Sequence, residues 1–183
     1  MNPPSPHKRK DSKQDVATPQ WMVDLFQQSD MFDCFGIDLA ADASNTKCDK
    51  LITEQENSLV QPWHTLTSAK NPGWCNPPYA NVREWVSKAY YAALKGATVF
   101  MLIPAALHRN YSIDFLKYGP CSIVLLAPAI KFDGYPNASS IMHMLIVFDY
   151  KLKGDIYWGN MRDSGEFTNI IDKIFLNMGG PFV

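Results

Sequence analysis

Apolar and polar positions alternate in blocks along this chain, and the blocks differ in period. Trp21, Met22, Leu25 and Phe26 recur at the i, i+1, i+4, i+5 spacing of an amphipathic helix. Thr18 and Pro19 stand just before them, as an N-cap and a first helical residue would. Residues 34–41 read as a short buried strand with an acidic residue near its end, and residues 47–53 as a weaker strand after a polar turn at 42–46. Residues 84–94 form a helical pattern that Gly96 ends. Residues 97–103, 122–126 and 141–148 are continuous apolar runs of strand length. Unbroken apolar strands separated by helical patterns predict a sheet covered on both faces, an α/β fold with mostly parallel strands. Beyond residue 150 the pattern weakens to a strand around 155–158 and a short helix over 170–176.

Residues 1–16 carry no apolar periodicity and are expected to be a disordered polar tail, leaving 17–183 as one domain. Its cations outnumber its anions, so a weak phosphate-contacting arm is the alternative to a solvated terminus. Residues 150–183 fit either the domain or an extension that reads a target. The 183 residues suffice for a sizeable core. A net charge of −1 excludes binding to nucleic acid by a global basic field, while leaving room for a local patch. The four cysteines form no CxxC pair and have no histidine cluster beside them, so neither a zinc site nor a disulfide scaffold is expected. The longest apolar run, 97–107, is shorter than the ~20 residues that a membrane span needs. The start of the chain has no secretory pattern, and a reduced intracellular compartment is the default.

The sharpest chemical signal is Asn76-Pro77-Pro78-Tyr79. Two consecutive prolines fix φ twice, remove two N–H groups and push each preceding residue to extended geometry. The turn is therefore stiff, and it holds the Asn76 side chain and the Pro77 carbonyl in fixed directions. Two nearby acceptors suit a planar NH2 group, and the aromatic Tyr79 can stack on the ring that carries it. Accepting both hydrogens of such an amine frees its lone pair for attack on a sulfonium methyl group, with positioning and preorganised dipoles supplying the catalysis. The plainer alternative is a proline-rich loop that closes a strand, with Tyr79 packed in the core. Asp38, at the end of the first strand and followed by Leu39-Ala40-Ala41, can hold a cation; it can equally close an ordinary turn. After the second strand, either Glu54 or Glu56 can accept the hydroxyls of a ribose, or both can lie in a solvated loop. No GxGxxG or Walker pattern is present.

Taken in order, these pieces resemble the phage-type DNA adenine N6-methyltransferases, the Dam family. The likeness runs over roughly 17–149. It is carried by Ala17-Thr18-Pro19-Gln20-Trp21, Asp38-Leu39-Ala40-Ala41, residues 45–48 (NTKC), Ile52-Thr53-Glu54, Trp74-Cys75-Asn76-Pro77-Pro78-Tyr79, residues 85–89 (WVSKA), Leu102-Ile103-Pro104-Ala105 and residues 130–134 (IKFDG) followed by Val147-Phe148. The NPPY tetrapeptide alone is shared with RNA adenine and protein-glutamine methyltransferases; the ordered set is more specific. The resemblance implies a single class I methyltransferase domain with about seven strands and helices on both faces. It implies S-adenosylmethionine as methyl donor with no metal, and double-stranded DNA as partner, its target adenine flipped from the stack. It also implies a monomer working in the cytoplasm of a host cell. Thr18 and Pro19 match the segment at the methionine end of the donor, Asp38 and Ala40 the loop beneath it, Glu54 the ribose acceptor and Asn57 a polar neighbour of the donor's adenine. Asn76, Pro77 and Tyr79 match the target-amine clamp, and Phe132 an aromatic beside the flipped base. The donor loop departs from the usual glycine-rich turn, with Ala40-Ala41-Asp42-Ala43 in its place. His108, Arg109 and Lys117 are the candidate DNA contacts. An enzyme acting on RNA adenine or protein glutamine is the alternative, as is a nucleic-acid-binding module without catalysis.

Overall fold

The computed structural model describes residues 17–133 and 135–180, so the tail proposed for 1–16 lies outside the described residues. In chain order the elements are α1 (Gln20–Phe26), β1 (Ile37–Asp38), α2 (Trp63–Leu66), β2 (Gly73–Cys75), α3 (Val82–Ala93), β3 (Val99–Pro104), β4 (Cys121–Ala127), β5 (His143–Phe148), β6 (Asp155–Asn160) and α4 (Ser164–Asn177). They build one six-stranded sheet in the order β1-β2-β3-β5-β4-β6. Strands β1, β2 and β3 are mutually parallel, and β4 is parallel to β6. Only β5 runs backwards, antiparallel to both β3 and β4. This is the expected α/β class with a mostly parallel sheet.

The continuous apolar runs are explained by burial on both faces. Along β3, Val99, Met101 and Ile103 join a core with Val86 and Ala89 of α3, while Phe100 and Leu102 face Phe26 of α1 and Phe167 of α4. The same two-residue alternation divides β4 and β5 between the two cores. The second core is aromatic. Phe26 meets the rings of Phe32, Phe35, Trp74, Phe100 and Phe167 at centroid distances of 5.4–5.9 Å, mostly edge-on.

Several expectations are corrected in detail. The first strand shrinks to Ile37–Asp38. The second is reduced to a single bridge, Asp38 with Leu51, although Asp38 exchanges 2.8 Å backbone bonds with Lys50 and Ile52. Short, polar-flanked segments cannot sustain a longer ladder at the sheet edge. Helix α3 starts two residues earlier than its apolar pattern and ends as expected: Gly96, at φ +98°, takes the left-handed position that closes it. The C-terminal elements are longer than their patterns. β6 pairs with β4 along six residues, and α4 spans 14 residues from an Asp163 cap that accepts from the Glu166 N–H. With Phe167, Ile171, Ile174 and Phe175 buried, α4 is part of the core.

The parallel strands β1–β3 all end at one edge of the sheet. Because β5 is reversed, it begins at that edge, with His143 opposite both Pro104 and Leu126. Since β4 and β6 run with β3, the edge where ligands bind in open α/β sheets collects the ends of five strands and the start of β5.

Candidate active site

A cavity of roughly 690 Å3 opens at this edge, within the size range of small-molecule sites. Its wall includes Thr18, Asp38, Ala40, Asn45, Glu54, Asn57, Asn76 and Trp85. Each element brings its residue for a local reason.

Asp38 ends β1, and its side chain is only 3% exposed. One carboxylate oxygen accepts from the Ala40 N–H at 3.2 Å and the other from the Lys47 N–H at 3.4 Å. Burial raises its pKa to about 6, against the opposing pull of those two amides and the Lys47 charge. The carboxylate is thus incompletely compensated, and a cationic ligand would complete it. Lys47 itself reaches Asp133, 4.0 Å away, and so ties the loop after β1 to the segment carrying Phe132.

The two glutamates after β1 separate cleanly. Glu56 turns back on its own chain, accepting from the Thr53 N–H and hydroxyl at 2.8 Å each, a capping box that lowers its pKa. Glu54 lines the cavity. Asn57, at φ 49°, joins two short 3-10 turns. Fully buried Trp63 pins the second of them, its indole N–H donating to the Ser58 carbonyl and hydroxyl at 3.0 and 3.1 Å.

Asn76 follows β2 directly, as the stiff turn requires. Among the bonds that orient its amide, Nδ2 donates to Thr18 Oγ1 at 3.3 Å, and Oδ1 accepts from the Tyr79 hydroxyl at 3.2 Å. The capping role expected for Thr18 is therefore corrected. Pro19 is the cap position of α1, no side chain caps that helix, and the Thr18 hydroxyl instead accepts from Trp74 Nε1 at 3.1 Å as well as from Asn76. The Thr-Pro pair resembles a cap in sequence, but the buried indole and amide compete successfully for its oxygen. Pro19 and Pro77 lie outside the cavity wall, and Pro77 is buried beneath the turn. Burial raises the Tyr79 pKa well above the ordinary phenol value, so it stays neutral.

Tyr79 and Phe132 do come together, though through an intermediary. The ring of His143 lies 5.9 Å from Tyr79 and 5.0 Å from Phe132, centroid to centroid. The sequence reading missed His143, although a lone histidine inside the apolar run 141–148 is a visible irregularity. On the outer side, Phe132 shares a groove of roughly 600 Å3 with Trp21, Lys131, Asp133, Tyr135 and Pro136.

The three cationic candidates fall in two places. His108 and Arg109 are exposed in the loop that leaves β3 at the site edge. Lys117 is exposed at the opposite edge, where its carbonyl faces Gly154 just before β6, and its ammonium lies over the Tyr118 ring. The helical turn at Ser112–Leu116 carries the chain from one edge to the other. Among the described residues there is no grouping of three His, Cys, Asp or Glu side chains able to hold a metal ion, and no helix is long and apolar enough to cross a membrane.

A "DNA N-6-adenine-methyltransferase" of Haemophilus phage HP1 (strain HP1c1) is 33% identical over 97 residues, covering 52% of each chain. The matched stretch thus spans about half the length of that relative. Among solved structures, a predicted O-methyltransferase from Agrobacterium tumefaciens is 15% identical and covers 76% of this chain and 84% of its own. Its TM-score of 0.36 is too low to carry an argument. The family model described as DNA N-6-adenine-methyltransferase (Dam) matches residues 5–113, well over half of the sequence. The chain belongs to the DNA N-6-adenine-methyltransferase (Dam) family.

Proposed function

We propose that this protein transfers a methyl group from S-adenosylmethionine to the N6 amine of an adenine flipped out of double-stranded DNA. The observation that carries this reading is the position of Asn76. It stands on the wall of the large cavity while its Oδ1 points to the Tyr79 hydroxyl, beside the ring cluster of Tyr79, His143 and Phe132. A donor in the cavity and a base at the aromatic cluster would both reach this one amide.

The residues present suit the donor. Its bound form supplies an electrophilic methyl carbon on a positively charged sulfur. Asp38 offers a buried, under-compensated negative charge, Glu54 a carboxylate for the ribose hydroxyls, and Asn57 and Asn45 polar edges for the adenine. Asn76 Oδ1 and the Pro77 carbonyl accept the two amine hydrogens and direct the nitrogen lone pair at the methyl carbon. As the new N–C bond forms, the S–C bond pair stays on sulfur, and one amine proton leaves to solvent. No strong base is required, and positioning supplies most of the rate. Extruding the base costs a few kcal/mol, offset in part by stacking on Tyr79 and Phe132, at ~1–3 kcal/mol per base.

On the DNA side, the groove with Trp21, Lys131 and Tyr135 lies next to Phe132, and Arg109 and His108 lie at the same sheet edge. With a net charge of −1, these local cations and aromatics must supply the contact. Lys117, at the far edge, is left out of it. We place the reaction in the cytoplasm of a phage or prophage host, carried out by a monomer; the phage origin of the relative supports the setting.

The test is methyl transfer from labelled donor to duplex DNA, RNA and protein in parallel, with nucleoside mass spectrometry of the DNA product. N6-methyladenine in DNA is expected. Transfer to RNA or to protein glutamine instead would give the turn a different substrate. Failure to bind donor by calorimetry would mark a nucleic-acid-binding module.

A further inference from the structure

His143 is 1% exposed, and neither of its ring nitrogens has a hydrogen-bond partner. The Ile141 backbone pulls its basicity slightly upward without reaching hydrogen-bond geometry, but burial dominates and lowers its pKa to about 4. The ring is therefore neutral, carrying one N–H donor and one bare acceptor. Buried polar groups are nearly always paired, and an exception needs a reason. Core packing supplies none, because the neighbours of the ring are aromatic and a phenyl ring would fill the same space.

Its position supplies one. His143 opens the reversed strand β5, at the edge where Asn76 leaves β2. Tyr79 and Phe132, the two rings assigned to the flipped base, both rest on its ring, tilted at 47° and 69°. Tyr79 also occupies Asn76 Oδ1, so the base site is closed on itself and the imidazole forms its floor. A base entering between these rings displaces the Tyr79 hydroxyl from Asn76 and meets the unpaired nitrogens. The free ring nitrogens of adenine, N1, N3 and N7, are all acceptors, so the imidazole N–H is the group that can answer them. With the N6 amine held at Asn76, the nearest of them are the two that flank that amine, N1 and N7. Guanine presents an N–H at N1, so a donor aimed at N1 also discriminates against it, whereas one aimed at N7 meets an acceptor in either purine.

We propose that His143 is a base-reading residue, which donates a hydrogen bond from its neutral ring to N1 or N7 of the extruded adenine. This rests on the function proposed above. Unbound, the imidazole lacks a partner because its partner is the substrate.

The experiment uses the full-length protein and duplexes carrying 1-deaza-, 7-deaza- or 3-deazaadenine at the position that the wild type methylates. One of the first two should lower kcat/KM roughly 10- to 100-fold, the discrimination typical of one good base contact, and 3-deazaadenine should have little effect. His143→Phe should keep or raise the melting temperature, since it removes a buried unpaired group, and should lower kcat/KM on adenine by a similar factor. The sensitive analogue should then cost His143→Phe nothing further. Wild-type activity in a folded His143→Phe protein overturns the proposal, as does a wild type indifferent to both 1-deaza- and 7-deazaadenine. The second result needs no variant to fold. A wild type that methylates no adenine in DNA would instead overturn the function proposed above, and the role of His143 with it.

Discussion

Replacing Asp38 by asparagine should separate what the residue does for the fold from what it does for the ligand. The carboxylate is 3% exposed and receives two backbone N–H bonds, yet its pKa is raised from 3.8 to about 6. A folded-state pKa above the unfolded value means that the native protein holds the proton more tightly. The associated stability is fully present below pH 3.8 and is lost as pH rises through about 6. At about 1.4 kcal/mol per pKa unit, the ionised group costs the fold up to about 3 kcal/mol at neutral pH. Asparagine removes the charge but can accept from only one of the two amides with its single oxygen. The net gain should therefore be smaller, about 1–2 kcal/mol at pH 8, or about 3–6 °C in melting temperature for a chain of this size. The gain should vanish near pH 4, where the wild-type carboxyl is already neutral. Binding of S-adenosylmethionine should weaken by roughly 10- to 100-fold, the loss of a charge-assisted hydrogen bond. Differential scanning fluorimetry at the two pH values, with calorimetry of donor binding at pH 8, reads both effects. Calorimetry near pH 6 in buffers of different ionisation enthalpy should also show a proton released from the wild type on binding, because the cation holds Asp38 ionised. Unchanged donor affinity together with a lower melting temperature would refute the reasoning.

Three other outcomes are expected. Asn76→Ala should lower the methyl-transfer rate about 10²–10³-fold in single-turnover assays while leaving the donor in place by calorimetry. Glu54→Gln should weaken donor binding without changing the melting temperature, whereas Glu56→Gln should slightly lower the melting temperature and spare the donor, because only Glu56 is committed to Thr53. Phe26→Ala should cost about 3–5 kcal/mol in chemical denaturation, since a ring against five others leaves a cavity that the sheet cannot collapse into.

The central strands and α3 were legible because burial on both faces leaves an unmistakable apolar run, and because Gly96 closes its helix by backbone geometry alone. The strand direction of 143–148 was not legible: a reversed central strand is buried like its parallel neighbours and carries the same composition. Asp38, Glu54 and Asn57, singled out from the motifs, do line one cavity, while the engagement of Glu56 by the Thr53 capping box is not visible in spacing alone. The capping role read for Thr18 gives way to bonds from Trp74 and Asn76, which stand 56 and 58 residues away and leave no local trace in the sequence. Lys117 lies at the opposite edge from His108 and Arg109 because residues 107–118 run back along the strand direction, which nothing in their pattern announces.

The reversal of β5 has a consequence for how this protein could diversify. Both ends of the connection over 128–142 are fastened to one edge of the sheet, by β4 on one side and by His143 on the other. A parallel strand would have needed a crossover back to the far edge, threading any insertion through the body of the domain. Here the connection behaves as an exchangeable cassette. Outside the buried Ile130 and Phe132, its length and sequence can drift without disturbing the six-residue ladders that hold β5 in register. The one change it cannot transmit is a single-residue slip within β5, which would turn the imidazole to the other side of the sheet and bring a methionine into its place.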